Sequence, residues 1–353
     1  MKADKANWAT QGAFITHRGR VYDHNEDACF IREVHTGEGM LHADTVDFKT
    51  NGTCIVAVAD GIGGNSAGEM ASKLVVESFS DFSPGGQEDL AEHLSAVNRQ
   101  LYEEGKKDST LSGMGATVVG LCFGGAETFA FNVGDARVYR RQDDYLMQVT
   151  KDDSIAQVLV DAGELAMDET RSKNLHQLTQ AIGGSVEEKD IDPHTYPLKI
   201  SNQASFLICS DGLHDMVSLD DMEAIMAKET SPSDRVDGLF QAALKGGGED
   251  NITIIWLDVE HVSLRTELRG KKLKIEINKD EVFELDFKTD SVLLDEEGKI
   301  RETPYSVQGA TILLSETDEQ IEFMNEHGVS VGDELIFKGL GSDAVKCKVT
   351  EIK

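Results

Sequence analysis

Two short apolar runs in this chain end in the same way, and that ending limits what the chain can fold into. Residues 53–59 (TCIVAVA) stop at Asp60-Gly61-Ile62-Gly63-Gly64, and residues 206–209 (FLIC) stop at Ser210-Asp211-Gly212. Both runs read as buried strands, and a glycine-rich turn that no helix tolerates ends the first. Asp135 sits in a Gly-Asp turn between two further apolar runs, and Asp250-Asn251 immediately precedes the run 252–259. Carboxylates at strand ends can converge at one edge of a sheet although they are distant in sequence. Grouped there, they repel one another unless cations sit among them. An oxygen-only set with no His or Cys points to hard ions, Mg²⁺ or Mn²⁺. Two such ions close together can hold a bridging hydroxide as nucleophile and neutralise a phosphoryl oxyanion.

Between these points the pattern alternates in blocks. Ser66 and Glu69 fit a capping box ahead of a helix with Met70, Leu74, Val75 and Phe79 at helical spacing. A second helix over 88–104 puts Leu90, Leu94, Val97 and Leu101 on one face. Strands are expected over 116–123, 128–133 and 138–140, then a helix over 154–162 that ends at Gly163. Helices near 219–228 and 232–245 lead to a last strand, 252–259. Helices and strands that come in blocks argue for α+β layers and against a doubly wound parallel sheet.

The texture changes near residue 261, which divides the chain into 8–260 and 262–353. In the second part Leu273, Ile275 and Ile277 alternate, as do Phe283, Leu285 and Phe287, so a small mainly-β domain is expected. Ser315 and Asp318 could cap one short helix that stops at Gly328, and Val331-Gly332-Asp333 opens further strand.

The formal net charge is −30, from 34 basic and 64 acidic residues. That argues against nucleic-acid and anionic-membrane partners, both of which need a basic surface. The five cysteines form no CxxC pair, so neither a disulfide framework nor a zinc site is expected. A polar, charged first eight residues and no membrane-length apolar run point to a cytoplasmic protein. His17, His24, His176 and His214 stand singly among polar neighbours and read as non-catalytic, while Trp8 and Trp256 read as packing residues.

Taken in order, Asn25-Glu26-Asp27, Asp60-Gly61-Ile62-Gly63-Gly64, Ser112-Gly113-Met114-Gly115-Ala116-Thr117, Gly134-Asp135-Ala136-Arg137, Ser210-Asp211-Gly212 and Gly248-Glu249-Asp250-Asn251 resemble the motifs of the type 2C metal-dependent protein phosphatases, bacterial members above all. The resemblance implies a four-layer αββα sandwich with a metal site at one end. It implies hydrolysis of phosphoserine or phosphothreonine by in-line attack of metal-bound hydroxide, with two tight Mn²⁺ or Mg²⁺ ions and a weaker third. Carried over by motif, Asp60 and the Gly61 carbonyl bind the metal pair, and Asp211 and Asp250 complete the shell of one ion. Glu26 holds the other ion through water, and Asp135 takes the third. Asp27 and Asn251 order the site around them. A mobile flap is expected over 167–173. Tyr22 stands where the family usually has a phosphate-binding Arg. If residues 18–22 are extended, Arg20 shares a face with Tyr22 and could reach the phosphate instead. Phosphorylated proteins are the expected substrates. Rival readings are a pseudophosphatase that senses or scaffolds, or hydrolysis of small phosphorylated molecules. The C-terminal domain is expected to dock a protein partner.

Overall fold

Strand Cys54–Ala59 is buried at all of its positions, as a strand covered on both faces must be. Its two faces belong to two different core layers, and this alternation organises the first part of the molecule. The computed structural model describes residues 8–37, 39–50, 52–63, 66–125, 127–166, 175, 177–200, 203–228, 230–261, 271–278, 281–288, 291–296, 299–308, 311–314, 320–323, 334–338 and 345–353. These divide into two units, Met1–Glu260 and His261–Lys353.

Two six-stranded antiparallel sheets face each other in the first unit. One runs, edge to edge, Tyr145–Gln148, Arg137–Gln142, Gln203–Cys209, Ile252–His261, Trp8–His17 and Asp44–Thr50. The other runs His194–Pro197, Phe129–Val133, Val118–Phe123, Cys54–Ala59, Ala28–Ile31 and Glu33–His35. Val56, Val58, Leu121, Ile208, Ile255 and Leu257 fill the space between the sheets. On the outer face of the second sheet, Ile55 and Ala57 pack on Val75, Leu90, Leu94 and Leu101 from helices Ser66–Glu77 and Gln87–Lys107. On the outer face of the first, Leu207, Ile254 and Trp256 pack on Val236, Leu239 and Phe240 of helix Pro232–Gly246. Each of these large apolar side chains contributes about 2 kcal/mol through burial. The result is the αββα sandwich.

Several expectations change in detail. Met70 is exposed, and the buried stripe of its helix is Ala67, Ala71, Val75 and Val76. Phe79 is buried but lies past the end of that helix, Ser66–Glu77. Ser154 caps helix Ile155–Asp161 by accepting from the Gln157 amide, and Gly163 follows with φ 71°. Asp211 opens a short helix, Asp211–His214, directly after its strand. A third, three-stranded sheet joins Gly61–Ile62, Gly115–Ala116 and Ile182–Gly183. Gly115 is required there, because a Cβ would overlap the Gly184 backbone.

The second unit is a closed barrel of eight antiparallel strands paired in chain order, from Lys272–Asn278 to Val345–Ile352, which pair with each other. Leu273, Ile275, Leu285, Phe287 and Val292 are buried, so the period-two pattern marks the interior. Residues Gln320–Phe323 form a strand, which corrects the helix expected after residue 315. Ser315, Asp318, Gly328 and residues 331–333 lie outside the described residues.

Candidate metal centre

Glu26, Asp60, Asp135, Asp211 and Asp250, drawn from five separate stretches of chain, line one cleft of about 290 Å³. Tyr22, Gly61, Thr117 and Asn251 also line it, and among the described residues no Lys or Arg does. Asp60 leaves strand Cys54–Ala59 and is held by its carbonyl, which accepts from the Thr117 amide at 2.8 Å. Asp135 occupies the turn after Phe129–Val133, where Gly134 takes φ 110°. The Gly134 amide donates to Asp153 Oδ2 at 2.8 Å, and that carboxylate also meets His194 at 2.9 Å and Gln180 at 2.8 Å.

The stretch carrying Glu26 is fastened from the far end of the chain. Asn251 Oδ1 accepts from the Glu26 amide at 2.6 Å, and its Nδ2 donates to the carbonyls of Arg18 and His24. Ser210 Oγ donates to Asp27 Oδ2 at 2.8 Å while accepting from the Thr253 amide at 3.0 Å. Asn25 donates to Thr16 Oγ1, which pairs with Thr253 Oγ1 at 2.8 Å. The Glu26 carboxylate meets His24 Nε2 at 2.7 Å and packs so closely on Gly68 that a Cβ there would overlap it.

The electrostatics follow from this crowding. Burial first, and then the charges of Asp211, Asp27, Asp250 and Asp135, push the Asp60 carboxyl well above its ordinary range. Asp211 shifts the same way through burial and the charges of Asp135, Asp250, Asp215 and Asp27. Asp250 also rises, by burial foremost. Burial lifts Asp27 to about 7, and burial with the charge of Asp152 lifts Asp135 to about 7. The Tyr22 phenol is raised by Asp250 above all, then by burial, Glu26, Asp211 and Asp60, so its hydroxyl feels the same field.

All the donors are oxygens, and a cluster in which every resolved shift opposes ionisation fits hard divalent cations. Asp211 Oδ1 and Asp27 Oδ1 are buried with no hydrogen-bond partner among the described residues, and in the lining Asp211 a bound ion would supply one. Among the described residues no group of three or more His, Cys, Asp or Glu forms a ready-made cage. A roomier cavity of about 870 Å³ lies elsewhere, where Lys49, Arg141 and Arg235 mix with Asp47, Asp143 and Asp258. Charges of both signs meet there, whereas the charged side chains described in the smaller cleft are all carboxylates.

Residues 18–22 are not extended. A turn with Gly19 at φ 76° carries the exposed Arg20 to Gly248, whose carbonyl accepts from the Arg20 amide at 2.8 Å. Arg20 is not among the lining residues, whereas Tyr22 is. Gly64, residues 167–173 and His176 lie outside the described residues. Sequence reasoning set His24 aside as non-catalytic, took Thr117 only as part of a motif, and passed over Gly68 and Asp215. Asp215 was legible in principle, because it stands four residues after Asp211 and so one helical turn away. His214, read as bland, donates from Nε2 to the Asp135 carbonyl at 3.2 Å, and burial lowers its pKa.

A family model described as Protein phosphatase 2C matches residues 33–246. The chain is 34% identical over 229 residues to the serine/threonine protein phosphatase PstP of Mycobacterium tuberculosis, covering 63% of this chain and 43% of that one. This chain therefore spans less than half the length of that relative. It is 31% identical over 257 residues to the serine/threonine phosphatase stp of Listeria welshimeri, covering 69% of this chain and 94% of that one. The crystal structure of the PstP catalytic domain in complex with two manganese ions superposes with a TM-score of 0.57 at 29% identity, covering 72% of this chain and 99% of that one.

Proposed function

The chain belongs to the protein phosphatase 2C family, and on that premise we propose that it is a metal-dependent protein serine/threonine phosphatase hydrolysing phosphomonoesters in phosphorylated proteins. One observation carries the reading: five carboxylates share one small cleft, and no described basic side chain lines it. Asp60 and the Gly61 carbonyl would hold a pair of Mn²⁺ or Mg²⁺ ions. Asp211 and Asp250 would complete one shell, Glu26 would serve the other through water, and Asp135 would take a weaker third ion. Bound there, the ions supply an activated water and neutralise charge on the phosphoryl oxygens. The protein's own part is positioning. Asn251 joins the backbone at residues 18, 24 and 26, and Ser210 fixes one oxygen of Asp27.

Among the described cysteines a thiol nucleophile has no support. Cys29, Cys54, Cys122 and Cys209 are buried and unpaired, and burial pushes Cys54, Cys122 and Cys209 up to about 12. Those free thiols, with no described helix long and apolar enough to cross a membrane, support a cytoplasmic setting. The strongly negative net charge speaks against nucleic acid and anionic membrane as partners. For the domain expected over 262–353, which carries the barrel strands from Lys272–Asn278 onward, the role proposed is docking a protein partner. The deciding experiment gives the purified chain a phosphoserine and a phosphothreonine peptide with Mn²⁺, then adds chelator. Phosphate release that stops on chelation is expected, and no release at saturating Mn²⁺ overturns the reading.

A further inference from the structure

The turn that carries Asp135 is gripped from both ends by two adjacent carboxylates. Before Asp135, the Gly134 amide donates to Asp153 Oδ2 at 2.8 Å, and the Gly134 carbonyl accepts from the Asp153 amide at 2.9 Å. After it, Arg137 pairs with Asp152, Nε donating to Oδ1 at 3.0 Å and Nη2 to Oδ2 at 2.6 Å. Asn132 ties the same two stretches together, donating from Nδ2 to the carbonyls of Gly134 and Lys151 at 2.9 and 2.8 Å. Gly134 also packs directly on Thr117, where a Cβ would overlap the threonine side chain. The peptide ahead of Asp135 thus has both its polar groups engaged and little freedom to shift.

Asp153 is itself held in place. A buried carboxylate needs partners on both oxygens. Oδ2 accepts from Gln180 Nε2 at 2.8 Å as well as from Gly134, and Oδ1 meets His194 Nε2 at 2.9 Å. Gln180 is fixed in turn by the Asp192 amide, which donates to its Oε1 at 3.0 Å. The backbone follows the same path, with the Thr179 amide donating to the Asp153 carbonyl at 2.8 Å and the Ile155 amide to the Gln177 carbonyl at 2.9 Å. Leu178, between these two ties, lines the cleft, whereas Asp153 is not a lining residue. What Asp153 does for the cleft it therefore does through the groups it holds.

We propose that Asp153 is a positioning residue for Asp135: by holding the Gly134 amide, it sets where the Asp135 carboxylate stands to take the weaker ion. No proton moves and no covalent bond forms. Asp152 and Arg137 brace the far end of the turn, and Asp153 anchors the near end to the stretch 177–194. The inference rests on the phosphatase reading above and on the place of Asp135 within it.

The test uses the full-length chain as wild type, Asp153→Ala, Asp153→Asn and His194→Ala, each checked by melting in chelator. Calorimetric titration with Mn²⁺ gives the affinities of the tight and weak ions without any need for turnover. Kinetics on a phosphopeptide give KM and the Mn²⁺ dependence of kcat. Asp153→Ala should weaken the weaker ion roughly 10–100-fold, the scale for a lost support of a metal ligand, with the tight ions and KM nearly unchanged. Asp153→Asn keeps an oxygen for the Gly134 amide and should restore most of that affinity. His194→Ala should shift the affinity in the same direction by less, and it decides the matter if Asp153→Ala does not fold. Added to Asp135→Ala, Asp153→Ala should change Mn²⁺ binding no further. A lower melting temperature with the weak ion's affinity untouched would reduce Asp153 to a structural tie and overturn the proposal. A further loss in the Asp135→Ala background, or a wild type that binds only two ions, would overturn it as well. If the weak ion depends on Asp153 but the wild type releases no phosphate from peptides, the phosphatase reading falls and the positioning role stands.

Discussion

The charges of Asp211, Asp27, Asp250 and Asp135 all bear on the buried Asp60, and replacing it separates catalysis from stability. Asp60→Asn should abolish Mn²⁺-dependent turnover while raising the melting temperature in chelator, because one buried repelling charge is gone. Retained turnover at saturating Mn²⁺ would remove Asp60 from the metal site. The upward shifts also set a pH dependence. Asp27 and Asp135 rise from 3.8 to about 7, and Asp60, Asp211 and Asp250 shift the same way. Metal-free folded protein thus keeps protons that the unfolded chain releases. Its stabilisation is complete below about pH 4 and drains away as pH climbs towards about 7. Melting in chelator should therefore fall over that window, whereas added Mn²⁺ should stabilise more at neutral pH than at about pH 5, where its ligands hold protons. A chelated protein that gains stability with rising pH would contradict the buried cluster. Ser210→Ala tests the support beneath Asp27. It strands one buried carboxylate oxygen and the Thr253 amide, and should destabilise by about 1–3 kcal/mol in denaturant unfolding.

Among the elements, helix Ser66–Glu77 matters for where it lets Glu26 rest. A methyl group on Gly68 would enter the Glu26 carboxylate. Gly68→Ala should leave the circular dichroism spectrum unchanged but weaken Mn²⁺ binding by roughly 10–100-fold, as disturbing a metal ligand's surroundings does. Unaltered affinity would mean that Glu26 is not held there. The elements that could be read in advance are those whose apolar spacing is decisive. Leu90, Leu94, Val97 and Leu101 announce helix Gln87–Lys107, and the strand-end aspartates announce the cleft. Strand Trp8–His17 could not be read, because its sequence WATQGAFITH buries small and hydroxyl-bearing residues. It is a strand because its neighbours in the sheet, Asp44–Thr50 and Ile252–His261, flank it. The turn at residues 18–22 was hidden for a similar reason: the groups that bend it, Gly248 and Asn251, lie more than 200 residues further on. Local pattern reports what a residue prefers, and these two segments are shaped by what reaches them from elsewhere.

At the scale of the whole molecule, all three core layers of the first unit are built from residues no later than Val259. A chain ended at Glu260 should accordingly stay soluble, melt cooperatively and hydrolyse a small aryl phosphate at the full-length rate. Lost activity on a protein substrate alone would assign the barrel to recognition, and an insoluble product would show that the first unit needs the second in order to fold. The fastening of Glu26 by Asn251, 225 positions away, and of Thr16 by Thr253, 237 positions away, bears on the order of events during synthesis. Translation delivers a chain from its N-terminus at roughly 5–20 residues per second. Glu26 and Asp60 emerge from the ribosome early, but they face each other across an unfinished wall until the strand beginning at Ile252 has emerged and inserted between its two neighbours. If the chain is the phosphatase proposed above, its nascent form is therefore inert towards phosphoproteins nearby, and the power to erase a phosphorylation signal would arrive late in synthesis, once the first unit can close.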